Sequence, residues 1–241
     1  MKVVAIIQAR MGSTRLPGKV MKDLAGDTVL ARVVSRTRRS RLLDEVVIAT
    51  TDKPGDDVIV RECERIAVPV FRGDEADVLD RYYRVAQKFS ADAIVRITSD
   101  CPLTDPELVD QHVRRLIDRW GEVDFVTNMS QQSYPLGLAV EALPMDVLTR
   151  MHRLSDTPEL KEHVTTMAYA EPRLFRIDNI CHSEDLSQMR WTVDTREDLE
   201  LVRLIFKHFG TDDFSWGQIL PLLDRHPEWV EINRHIPQKI V

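Results

Sequence analysis

Apolar and polar positions along this chain switch repeatedly between a strand-like and a helix-like spacing. Val3–Gln8 is a short apolar run that predicts a strand. From Val29 to Thr37, the residues Val29, Leu30, Val33 and Val34 recur at helical spacing. Glu45–Thr50 predicts a second strand, Asp56–Ile66 a helix, and Val68–Phe71 a short strand. Asp77–Phe89 predicts a helix with Val78, Leu79, Tyr82, Val85, Ala86 and Phe89 on one side. Ala93–Thr98 predicts a strand. Pro106–Trp120 predicts a helix with Asp105 as its N-cap and Pro106 at its first position. Strands alternating with helices in this way imply an α/β architecture, a mostly parallel sheet flanked by helices. Ligands of such sheets collect beyond the carboxyl ends of the strands.

From about Asp124 the rhythm changes. DFVTNM, YPLGLAVEAL, a helix near Glu159–Tyr169 and LFRID together read as a mixed insertion with antiparallel strands, over about 124–185. Arg190–Asp194 returns to a strand, and Arg196–Phe209 and Trp216–Leu223 are helices. The tail from Trp229 reads as a short extended end. With no repeat or low-complexity linker, residues 1–241 read as one domain with an insertion.

Composition narrows the function classes. The chain is 43% hydrophobic, enough for a sizeable core, and its 33 basic and 39 acidic residues leave a formal net charge of −6. An acidic chain is a poor general nucleic-acid binder, so no nucleic-acid partner is expected. Cys63, Cys101 and Cys181 form no CxxC pair and support neither a zinc site nor a disulfide framework. No apolar run approaches a membrane span and no signal peptide is legible, so no membrane partner and a cytoplasmic location are expected.

Against that overall sign, one loop concentrates cations. The first strand runs into Arg10, Gly12, Ser13, Arg15, Gly18 and Lys19. Glycines let backbone N–H groups approach phosphate oxygens, and arginine and lysine neutralise the charge, so this loop reads as a polyphosphate cradle. It has neither the GxxxxGK[ST] nor the GxGxxG spacing. Asp100 and Asp194 each follow a predicted strand directly. A carboxylate there suits Mg²⁺, which takes oxygen ligands and shares phosphate oxygens, although either aspartate alone could equally cap a helix.

The stretches QARMGSTRLPGKV, RITSDCPLTDPELVD and RWTVDTREDLELV resemble the SpsF-like cytidylyltransferases of surface and spore-coat polysaccharide synthesis. FRGDEADVLDRY, EHVT and INRHIPQK extend the resemblance over nearly the whole chain. It implies a GT-A/Rossmann-like nucleotidyltransferase fold, a homodimer, and transfer of CMP from CTP to a small anionic or sugar acceptor, with Mg²⁺ as cofactor. Arg10, Gly12, Ser13, Arg15 and Lys19 would bind the triphosphate, Arg15 and Lys19 also acting on the leaving group, and Asp100 and Asp194 would ligate Mg²⁺. Arg72, Gly73, Asp77, Arg81 and Ser99 would contact the nucleotide; the plain alternative for Asp77 and Arg81 is an exposed i,i+4 helix pair. Tyr134, Gly137, Glu141, Glu162, His163 and Arg190 would face the acceptor. Lys161 stands where the family has Arg, and Ala139 where it often has Asp. Trp191 reads as a core residue, and His163 reads equally well as a hydrogen-bonded helix residue. Two other readings remain open at this level: a GT-A glycosyltransferase consuming a nucleotide sugar, which would normally carry a D-x-D motif that Asp100-Cys101-Pro102 does not supply, and a non-catalytic nucleotide-binding protein on the same fold.

Overall fold

The computed structural model describes residues 1–238. Nine strands and ten helices alternate through them. β1 (Val3–Gln8) is followed by the cationic loop and a small hairpin, β2 (Asp23–Leu24) and β3 (Asp27–Thr28), which leads into α1 (Val29–Thr37). Next come β4 (Glu45–Thr51), α2 (Asp57–Arg65), β5 (Val70–Gly73), α3 (Val78–Lys88), β6 (Ala93–Thr98) and α4 (Pro106–Asp118). The Asp105 side chain accepts from Glu107 N and Leu108 N at 2.9 and 3.2 Å and caps α4, as its sequence predicts.

The second half supplies β7 (Phe125–Thr127), β8 (Glu141–Pro144), α5 (Met145–Leu154), α6 (Pro158–Glu162), α7 (Thr166–Ala170) and β9 (Ile177–Asn179). It closes with α8 (Arg196–Phe209), α9 (Trp216–Arg225) and α10 (Pro227–Val230). Seven strands form one sheet in the order β5-β4-β1-β6-β8-β7-β9. β5, β4, β1 and β6 are parallel, β8 runs antiparallel to β6 and β7, and β9 is parallel to β7. The mostly parallel sheet with a mixed second half is therefore borne out.

Helices cover both faces, which explains why β1 reads as an unbroken apolar run. Val3, Ala5 and Ile7 join a core with residues of α1, α2, α4, α8 and α9. Val4 and Ile6 point the other way, into a core built with α3, α5 and α7. Each fully buried Val, Leu or Ile contributes about 1.5–3 kcal/mol. The chain order along the sheet reverses between β1 and β6. Connections leaving these two strands diverge there and open a crevice at their carboxyl ends.

Four expectations need correction. Arg190–Asp194 is no strand: its one ladder contact is a bridge between Arg190 and Leu136, because the segment lies against loops instead of an open sheet edge. The helix expected over Glu159–Tyr169 is two short helices, broken where Val164 takes a φ of +28°. The third strand lies at Val70–Gly73, two residues later than its hydrophobic pattern suggested, because Val68 packs into the core before the strand pairs with β4. Trp229–Ile236 is helix and turn and not extended; Lys239, Ile240 and Val241 lie outside the described residues.

One buried group gives the fold a pH signature. His112 on α4 is fully buried, its Nδ1 bonded to Leu108 O at 2.7 Å and its Nε2 without a partner among the described residues. Burial lowers its pKa from the ordinary 6.5 to about 4. Between these values the unfolded chain binds a proton that the folded chain does not, so stability falls as pH falls through that window. At about 1.4 kcal/mol per pKa unit the loss totals about 3 kcal/mol. Urea unfolding across the window should show this slope in the natural chain and a much flatter one in His112→Leu. Equal slopes would refute the assignment.

Candidate active site

The crevice between β1 and β6 holds a cleft of about 260 Å³. Its floor is the carboxyl end of the sheet, with Gln8 closing β1 and Thr98 closing β6. The cationic loop forms one wall. That loop is pinned at both ends of its turn: Met11 N donates to Asp56 Oδ1 at 2.7 Å, and Gly18 N donates to Met11 O at 3.1 Å. Arg10, Gly12, Ser13, Arg15 and Lys19 all line the cleft, as expected.

At the centre one ammonium joins two distant carboxylates. Lys19 Nζ lies 2.6 Å from Asp100 Oδ2 and 2.7 Å from Asp194 Oδ1. Burial alone would lower the Lys19 pKa, but Asp100 and Asp194 outweigh it and hold the ammonium above its ordinary range. Burial likewise works to raise Asp100, and the Lys19 charge and hydrogen bond overcome it, so Asp100 stays ionised below the usual carboxylate range. The second Asp194 oxygen accepts from Arg15 Nη2 and from Arg190 Nη2, each at 2.8 Å.

A buried frame behind the cleft fixes Asp194. Arg190 Nε donates to Asp198 Oδ1 at 2.8 Å, and Asp198 Oδ2 accepts the backbone N–H groups of Asp194 and Thr195 at 2.9 Å. Asn233 Nδ2 reaches both Arg190 O and Asp198 Oδ1, at 2.8 and 2.9 Å. Asp198 is fully buried; burial favours its neutral form, but Arg190 and Asn233 together keep its pKa low. Asp194 is thus tied to Asp100 through the backbone as well, since Val193 N donates to Asp100 O at 2.7 Å.

Asp100 and Asp194 fit a divalent metal. Their oxygens converge on one cationic point, where Lys19 Nζ now sits. Mg²⁺ is typically held by one or two carboxylates, with phosphate oxygens and waters completing the shell.

Arg81 stands in the opposite wall. It lines the cleft with 2% of its surface exposed, and its Nε and Nη1 have no partner among the described residues. Burial pushes its pKa down. This is not an exposed helix pair: Asp77 caps α3 by accepting from Asp80 N at 2.8 Å and lies 3.5 Å from Lys161 Nζ. Gly73 makes room for Arg81, since a Cβ there would sit 2.8 Å from Arg81 Cγ. Ser99, Glu162 and His163 also line the cleft, Glu162 lying 3.6 Å from Arg10.

Other expected residues stand outside the lining. The Arg72 guanidinium spans Thr51 O, Asp57 and Lys53 O and braces the turn after β4. Tyr134 packs with His182 and Trp216, ring centroids 5.6 and 5.3 Å away. Glu141 is buried and occupied by Arg96, by Thr165 Oγ1 at 3.0 Å and by Tyr169 OH at 2.7 Å. Arg190 works from behind Asp194. Gln8, Thr98, Asp56, Asp198 and Asn233 were not singled out from sequence. Gln8, Thr98, Asp198 and Asn233 fall inside the motif stretches, and Asp198 also carries the Thr195-x-x-Asp198 capping box, whereas Asp56 has no such signal.

A family model described as cytidylyltransferase matches residues 4–212. An uncharacterised protein of Methanocaldococcus jannaschii is 38% identical over 99% of this chain and 97% of its own. The spore coat polysaccharide biosynthesis protein SpsF of Bacillus subtilis is 36% identical over 94% of this chain and 95% of its own. A cytidylyltransferase structure from Leptospira borgpetersenii superposes with a TM-score of 0.93 at 31% identity, covering 100% of this chain and 99% of that one. A CMP-2-keto-3-deoxy-manno-octonic acid synthetase solved with CTP shares the fold, with a TM-score of 0.66 at 21% identity over 86% of this chain and 99% of that one.

Gly137 tests how the Asp194 segment is held. It has a φ of +112°, and a Cβ there would lie 2.7 Å from Thr192 N and Trp191 C. Gly137→Ala should cost about 2 kcal/mol or more of stability by chemical denaturation, since strain and steric overlap add. A variant as stable as the natural chain would show that the 190–194 segment is not packed against this turn.

Proposed function

The chain belongs to the cytidylyltransferase family, and from that premise we propose that it transfers CMP from CTP to an acceptor oxygen, releasing pyrophosphate, in a Mg²⁺-dependent reaction. The observation that supports it most is the Asp100–Lys19–Asp194 cluster beside a cationic loop. Two carboxylates beside these cations support the reading of a metal site next to a polyphosphate cradle. The structural relative solved with CTP bound adds the base, which the loop alone does not specify.

The acceptor oxygen attacks the α-phosphorus, the bond to the bridging oxygen of the β-phosphate breaks, and pyrophosphate leaves. Arg15 and Lys19 neutralise charge that develops on the leaving pyrophosphate. The loop N–H groups and Ser13 orient the triphosphate, and the unpartnered Arg81 donors turn toward an acceptor group of the nucleotide. Asp100 and Asp194 would hold Mg²⁺, which would supply Lewis-acid charge to phosphate oxygens. Positioning accounts for most of the remaining rate. Glu162 and His163, on the wall facing the loop, line the acceptor's side. The acceptor is a sugar-acid hydroxyl or a phosphate or phosphonate oxygen, used in surface-polysaccharide or related biosynthesis, and the working form is a homodimer.

Asp100→Asn should lower turnover by about 10²-fold or more, the equivalent of several kcal/mol of lost charge stabilisation, while leaving the fold intact. Pyrophosphate release with CTP and candidate acceptors, with and without Mg²⁺, is the direct assay. Near-normal turnover in Asp100→Asn would remove Asp100 from the metal site. Thermal unfolding separates nucleotides: CTP at a hundred times its Kd should stabilise by about 2.7 kcal/mol. Stabilisation by another nucleoside triphosphate in place of CTP would overturn the base assignment, and release of a nucleoside diphosphate would point to glycosyl transfer instead.

A further inference from the structure

A second groove, of about 760 Å³, lies between the hairpin β2–β3 and α8, behind the cationic loop. Four cations line it: Lys22, Arg196, Arg203 and Lys207. Three of them come from α8 at i, i+7 and i+11, which places them along one face of the helix. None lies within ion-pair distance of a carboxylate among the described residues. Asp23 and Glu200 line the same groove, so the cations exceed the anions by four to two. In a chain of net charge −6, this excess is a local departure of the same kind as the cationic loop.

The floor is apolar. Leu204, half-buried, lies at its base over the buried Leu16 and Leu199. Arg203 is already oriented: its Nε and Nη2 donate to Asp23 O at 2.9 and 2.6 Å, which fixes the guanidinium against the hairpin. An ordered guanidinium, flexible lysines on either side and an apolar base suit an anion with a flat or apolar body.

We propose that this groove is a second anion site, separate from the cleft, that takes an organic diphosphate of the nucleotide class. Lys22, Arg196, Arg203 and Lys207 meet the phosphoryl oxygens, and Leu204 supports the body. The groove is coupled to the cleft through the chain: Leu16 follows Arg15, and Lys22 follows the turn Lys19–Met21. A ligand held here fixes the loop that carries Arg15 and Lys19.

The test is calorimetric titration with ADP and, separately, inorganic pyrophosphate, in the natural chain and in R203E/K207E. Lys207 is exposed and Arg203 half-buried against the hairpin, so equal melting temperatures confirm that the variant is folded, and K22E/K207E, which keeps the Arg203 tether, repeats the test. The expected result is ADP binding that weakens at least tenfold in the variant and weakens with added salt. Pyrophosphate should bind more weakly than ADP, because it leaves the leucine floor uncovered. An unchanged ADP isotherm in the variant, or no ADP binding in the natural chain, overturns the site; pyrophosphate binding as tightly as ADP overturns the organic class. The readout is binding, so its failure is separate from any failure of the CTP assignment.

Discussion

Taking charge out of water is expensive, and the ion cluster at the centre of the cleft answers that constraint, with the partnerless Arg81 on the opposite wall as the exception. Two carboxylates and three cations meet in a partly buried space at the end of β1 and β6. Each carboxylate meets opposite charge: Asp194 accepts from Lys19, Arg15 and Arg190, and Asp100 from Lys19. Removing one partner from such a group leaves an uncompensated charge, typically at a cost of several kcal/mol. This explains why the surroundings are so fully committed. Asp198 and Asn233 have no surface to offer a substrate, yet without them Arg190 would have no fixed direction and Asp194 no fixed backbone.

Much of this was legible in the sequence because it depends on local pattern. The strands ending at Gln8 and Thr98 showed in their apolar runs, and cations clustered after a strand in an acidic chain mark an anion site by local charge alone. Asp100 and Asp194 were readable as strand-end carboxylates, although Asp194 follows a buried extended segment and not a strand. That difference has a physical cause. Trp191 N pairs with Leu136 O at 2.7 Å and Val193 N with Asp100 O, so the segment's hydrogen bonds go to loops. Alternating apolar residues look alike whether the partner is a sheet or a loop.

The unreadable part depended on tertiary neighbours. Arg81 carries a helix-face pattern that any exposed arginine could share; only packing shows it in the cleft lining, 2% exposed and with two donors that have no partner among the described residues. Asn233 sits in the closing turns, 43 residues from Arg190; the INRHIPQK stretch marks the segment but not that its asparagine reaches back to Arg190 and Asp198. The second half also separates recognition from construction. Tyr134, Gly137 and Glu141 share a family motif, but the fold uses them to build the walls: a ring cluster, a close backbone crossing and a buried link between Arg96 and α7. A motif reports that residues are needed together and is silent on whether they touch a ligand.

The salt links of the cleft join residues 81 and 175 positions apart. A chain emerging from the ribosome therefore displays its cationic loop, and completes β1, β4, β5 and β6, long before Asp194 exists to balance Lys19. Contacts of such large separation form late, after loop-closure entropy has been met by the local helices and strands. The N-terminal half is in that interval a sheet with an open, positively charged edge, and the arrival of α8 both neutralises it and completes the pocket. Assembly of the chemical centre and the last step of folding are then one event, so partially folded molecules hold the cradle but not the site.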